Sequence, residues 1–116
     1  MSYSYRDIVL IEWVSPDRQS NKARTALVIS SDDYNKSDLD RILIPISSNI
    51  SRSCQYDVAV MQDEKCYGAT GLRSSSVIRV GKIITLHTNL IKRRLGYLTS
   101  DKMVEVNSKI REVINL

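Results

Sequence analysis

Short β-branched runs, cut apart by polar segments and closed by one amphipathic stretch, constrain this chain more than any other feature. The first is Asp7 to Val14, DIVLIEWV, which stops before Ser15-Pro16-Asp17. A second run spans residues 24–30 and a third 41–47. YDVAV at 56–60 is shorter, and SSVIRVGKIITLHT holds two more, with Gly81 at a bend. Val, Ile and Thr fit a pleated surface better than a helix, so these runs predict strands. Pro45 has no amide donor, which places the third strand at a sheet edge or a bulge. Asp32-Asp33-Tyr34-Asn35 predicts a helical turn capped by Asp, and NLIKRRLGYL another ending near Gly96. The last stretch, TSDKMVEVNSKIREVINL, repeats apolar side chains at Met103, Val106, Ile110, Val113 and Ile114, the 3.6-residue period of a helix. Thr99 or Ser100 can cap it, and Asp101 suits its positive end. Five or six short strands with one closing helix predict a small, partly open barrel, mainly β with α.

The 116 residues suit a single domain, 1–116, with one core. There is no Phe, so Leu, Ile, Val, Tyr and the lone Trp13 must fill it. A net charge of +4 is compatible with an anionic partner. Cys54 and Cys66 form no CxxC and His87 is the only histidine, so no metal-ligand set is expected, and no cofactor. Two reduced thiols fit a cytosolic protein. The start, MSYSYRDIVL, lacks the pattern of a signal peptide. No apolar run approaches the roughly 20 residues of a membrane helix. A soluble, cytoplasmic protein without a membrane partner is expected.

No P-loop, GxSxG or Cys/His pairing appears. One reaction needs neither metal nor cofactor: cleavage of RNA by its own 2′-hydroxyl. The substrate supplies the nucleophile, and the protein aligns it and stabilises the growing negative charge. A forked guanidinium and a hydroxyl are suited to that work. Arg24 stands beside one apolar run and Ser47 closes the next. Read from the residues alone, both are also ordinary polar punctuation.

The ordered set DIVLIEW, ARTALVIS, ILIPISSN, SVIRVGKIITL and the final amphipathic helix resembles the MazF/PemK family of bacterial toxin ribonucleases across nearly the whole chain. The resemblance implies an SH3-like barrel (the CcdB/MazF-like toxin fold) that dimerises and cleaves single-stranded RNA without metal. It also implies a cognate antitoxin that inserts a flexible acidic segment into the RNA groove. The family's catalytic Arg opens the second strand, which here is Arg24. Its catalytic Thr follows the Pro-Ile of the third, which here is Ser47. Arg18, Gln19, Ser20, Asn21 and Lys22 of the first loop would border the groove, as would Ser48 and Asn49. Arg79 and Lys82 are further candidates for RNA contact, or for pairing with acids.

Four positions depart from the family pattern. Arg6 stands where Gly is usual, Thr25 where Pro follows the Arg, and Gly81 where some members carry an acid. Arg18 also stands where those members carry a loop His, so their acid–base scheme through His and Asp does not carry over residue by residue; Arg is a poor general base, and the base is left open. Lys92-Arg93-Arg94 is read as a helix-end charge cluster, and His87 as structural. Tyr3, Tyr5 and Trp13 are considered for base stacking, with core or dimer packing the favoured reading of Trp13. Two other functions stay open. One is gyrase poisoning by a toxin of the same fold, although those cousins end in Trp-Gly-Ile and this chain in VINL. The other is an inactive RNA- or protein-binding barrel.

Overall fold

The computed structural model describes residues 2–14 and 21–116. Among them, seven strands form one antiparallel sheet: β1 (Asp7–Val14), β2 (Asn21–Val28), β3 (Asp40–Ser47), β4 (Val58–Val60), β5 (Ser76–Ile78), β6 (Ile84–His87) and β7 (Ile91–Tyr97). The order is β4-β5-β3-β2-β1-β7, and β6 also pairs with β3. Three helices complete the fold: α1 (Asp32–Ser37), α2 (Tyr67–Thr70) and α3 (Ser100–Ile114).

Both faces of the central strands are buried, which explains why β1 reads as an almost unbroken apolar run. Side chains alternate across a strand. Ile8, Leu27, Ile44 and Ile46 therefore meet Val58, Ile78 and Leu98, with Met103 and Val106 of α3. Val9, Ile11, Ala26, Val28 and Leu43 point the other way, onto Tyr3 and Ile91, with Ile84 and Leu86 of β6 packed alongside. The buried Arg41 donates to the carbonyls of Tyr3, Asp38 and Asp40, tying the N-terminal segment to β3.

Several expectations change. The segment NLIKRRLGYL is not a helical turn: only Thr88–Leu90 forms a short 3₁₀ turn, capped by the His87 imidazole, and the rest is β7. Lys, Arg and Leu favour a helix locally, but β1 needs a partner for its second edge. Pairings such as Leu10 with Arg93 supply it. Residues 21–23, expected in the loop, belong to β2, so Arg24 is its fourth residue rather than its first. Ser31, not Asp, caps α1. Strand β3 is central, not an edge. Pro45 is tolerated because β6 pairs with residues 40–43 and β5 with 46–47. Its missing donor falls between those partners, where its carbonyl accepts the Arg79 amide. Val113 and Ile114, expected in the buried stripe of α3, are exposed in the single chain.

Two glycines let α2 approach β7 backbone to backbone. Gly71 ends α2 with φ 73°, and a Cβ there would lie 2.3 Å from the Leu95 carbonyl oxygen. A Cβ on Gly96 would lie 2.2 Å from the Ala69 oxygen. Arg6 also has positive φ, 75°, a conformation that Gly adopts without steric cost.

Candidate nucleic-acid interface

The β2–β3 register brings the two principal candidates together. Thr25 pairs with Ile46, so Arg24 and Ser47 follow as the next opposed positions. They share the face opposite Thr25 and Ile46, because alternate residues share a face. The Thr25 hydroxyl donates to the Ile46 carbonyl at 3.2 Å, an extra tie between β2 and β3 beside the pair. Arg24 is exposed and Ser47 half-buried. The Ser47 oxygen accepts the Asn49 amide at 3.1 Å, which orients it and leaves its O–H available to donate.

Two clefts meet at Arg24, Pro45 and Ser47. The smaller, about 520 Å³, runs towards Arg79, Lys82 and Ile84. The larger, about 780 Å³, runs towards Arg73, Arg93 and the hydroxyls of Ser48, Ser74 and Ser76. Five cationic side chains line the pair of clefts, and no Asp or Glu does among the described residues. Such a surface attracts anions, and forked guanidiniums suit phosphate oxygens.

The remaining candidates are placed unequally. Arg18, Gln19 and Ser20 lie outside the described residues. Asn21 and Lys22 pair in backbone register with Val14 and Trp13. Ser48 lines the larger cleft and Lys82 the smaller. Asn49 is engaged in the β3–β4 loop, where its side-chain oxygen accepts from Ser51. Arg79 reaches the smaller cleft, yet its guanidinium is bonded to Asp57 and to the Asn49 carbonyl, each at 2.9 Å. Tyr3 and Tyr5 are not base platforms. Tyr3 is buried against Ile91, and the half-buried Tyr5 hydroxyl accepts from Asn107.

Sequence reasoning missed Arg73 and Arg93. The signal for Arg93 was alternation: in IKRRL, read as a strand, Arg93 and Leu95 share one face, and both line the larger cleft. Arg94 turns away, onto Asp7 at 2.8 Å and over the Tyr97 ring. No local pattern marked Arg73. Among the described residues no three His, Cys, Asp or Glu side chains converge to hold a metal, and no helix is long and apolar enough to cross a membrane.

A two-sided antiparallel sheet closed by one long helix is the fold of the MazF toxins. The MazF structure (Form-I) from Deinococcus radiodurans superposes with a TM-score of 0.78 at 17% identity, covering 100% of this chain and 99% of that one. The Mycobacterium tuberculosis toxin MazF-mt6 gives 0.75 at 21% identity, over 96% and 98%. A mycobacterial endoribonuclease in complex with its cognate antitoxin gives 0.77 at 16%, over 99% and 97%. No curated protein matches the sequence. The family model for PemK-like, MazF-like toxins of type II toxin–antitoxin systems matches residues 5–114, and the chain belongs to that family.

Proposed function

We propose that this toxin is a sequence-selective endoribonuclease, cutting single-stranded RNA by attack of the 2′-hydroxyl and neutralised by a cognate antitoxin. The observation that carries this reading is the meeting at Arg24 and Ser47 of two clefts that hold five cations between them and, among the described residues, no carboxylate. The 2′-oxygen bonds to phosphorus as the P–O5′ bond breaks. The 2′-hydroxyl loses its proton and the 5′-oxygen gains one, leaving a 2′,3′-cyclic phosphate and a 5′-hydroxyl. Arg24 opposes the charge that grows on the phosphoryl oxygens, and the Ser47 hydroxyl donates to one of them. Arg73, Arg93 and Lys82 hold phosphates on either side. An acidic, flexible antitoxin segment competes for the same cations. The reading includes a symmetric homodimer, which sedimentation at micromolar concentration checks.

The test is cleavage of one long RNA in EDTA by wild type, Arg24→Ala and Ser47→Ala. Wild type is expected to cut and to leave 5′-hydroxyl ends. Each substitution is expected to slow cutting by roughly a hundredfold, the cost of one transition-state donor, with Arg24→Ala the slower. Products with 5′-phosphate, cutting of all-DNA strands, or near wild-type cutting by folded Arg24→Ala would refute the assignment. RNA binding with no cleavage by wild type would support the inactive-barrel alternative.

A further inference from the structure

Arg79 has been considered for contact with RNA, yet two of its guanidinium donors are committed within the protein. Nη1 donates to Asp57 Oδ2 and Nη2 to the Asn49 carbonyl, each at 2.9 Å. Its backbone amide is fixed as well, on the Pro45 carbonyl at 3.0 Å. The Asp57 side chain is only 6% exposed, so its charge sits where losing its partner is costly. Its Oδ2 also accepts the Cys54 amide at 2.9 Å. Arg79 thus clamps the β3–β4 loop at both ends, Asn49 at the start and Asp57 at the finish. Between these anchors, residues 50–56 are exposed and have no strand or helix to hold them.

The clamp reaches the cleft through one residue. Asn49 gives its carbonyl to Arg79 and its amide to the Ser47 oxygen at 3.1 Å. We infer that Asp57 and Arg79 are positioning residues for the Ser47 hydroxyl: the ion pair holds Asn49, and Asn49 aims Ser47 at the phosphate. This rests on the proposed role of Ser47. A planar fork is what the task requires, because its two donors must hold a carboxylate and a carbonyl together. A lysine has the charge but not the fork. A hydroxyl free to swing would sample the productive direction only part of the time, and small misplacements in such sites cost large factors in rate.

The test compares Asp57→Asn and Arg79→Lys with wild type, each also combined with Ser47→Ala. The readouts are the saturating cleavage rate, the protein concentration giving half of it, the melting temperature and hydrogen exchange of the Asn49 amide. Each single substitution is expected to slow saturating cleavage roughly tenfold or more. Half-saturation should stay within about twofold, since direct phosphate contact is not being removed. Asn49 exchange should quicken, and in the Ser47→Ala background neither change should slow cleavage further. Additive losses there, weakened half-saturation at an unchanged rate, or unaltered cleavage and exchange would overturn the inference while leaving Ser47 in place. Wild-type cleavage by Ser47→Ala would bring down the site reading and this inference together. If Asp57→Asn does not fold, Arg79→Lys decides the matter, since it keeps a cation beside Asp57.

Discussion

Replacing Gly96 by Ala tests the closest approach in the fold. The added Cβ would lie 2.2 Å from the Ala69 oxygen and 2.6 Å from both the carbonyl carbon and oxygen of Thr70. All three are backbone atoms of α2, so no side-chain rotation relieves the clash. Overpacking of this kind costs about 3 kcal/mol at the upper end of its usual range. Ala in place of Gly recovers about 0.5–1 kcal/mol of conformational entropy, leaving a net loss of about 2 kcal/mol. An unfolding entropy near 2.1 cal/mol/K per residue gives about 0.24 kcal/mol/K for 116 residues, so the melting temperature should fall by roughly 8–10 °C. Gly68→Ala is the control. It lies in α2, the helix that Gly96 faces, where a Cβ meets nothing within 4 Å, and it should hold or raise the melting temperature. The assay is thermal unfolding followed by circular dichroism. A Gly96→Ala protein melting within about 3 °C of wild type would refute the close packing of α2 on β7. The consequence extends to the cleft, because Arg93 and Leu95 of β7 line it together with Gly71 and Arg73 of the segment that follows α2. RNA binding by the variant should weaken along with its stability.

Arg6 holds φ 75° while its amide donates to Val28 and its carbonyl accepts from Leu98. Arg6→Val should therefore be less stable than Arg6→Gly by about 1–2 kcal/mol in urea unfolding. The Lys102–Glu64 bridge, at 2.8 Å, joins α3 to the segment before α2. The Lys102 bond, seconded by the Met61 amide, lowers the Glu64 pKa, so its stabilisation is present above the ordinary carboxylate value of 4.5 and lost as pH falls below it. Burial works against the Lys102 charge, but the hydrogen bonds it donates to Glu64 and Glu105 outweigh it and raise its pKa. Its contribution is therefore present below 10.5 and lost at higher pH. Glu64→Gln should flatten part of the acid limb of a stability–pH curve, and an unchanged limb would contradict the bridge. Arg41→Met should destabilise by about 2–3 kcal/mol in the same urea assay, because three carbonyls lose a buried charged donor.

Much of the scaffold is written locally. The β-branched runs of β1 and β3 and the 3.6-residue period of α3 each carry their own signal, because a buried strand or helix face must be apolar at its own spacing. The resemblance also drew attention to Arg24 and Ser47. Tertiary structure decided what local signals do not hold. β7 is a strand because β1 needs a partner, and its pairing with a segment eighty or more residues distant overrides a helix-prone composition. Arg24 meets Ser47 because antiparallel register sets them opposite each other, and register is a property of two strands together. Arg73 and Arg93 join the cleft because two glycines allow α2 to close on β7. Arg79, a basic residue like any other in the sequence, became an internal clamp because the β4 end of a loop delivers Asp57 to it. A charge tells the sequence reader that a partner is needed; only the folded chain decides whether that partner is a carboxylate within it or a phosphate outside.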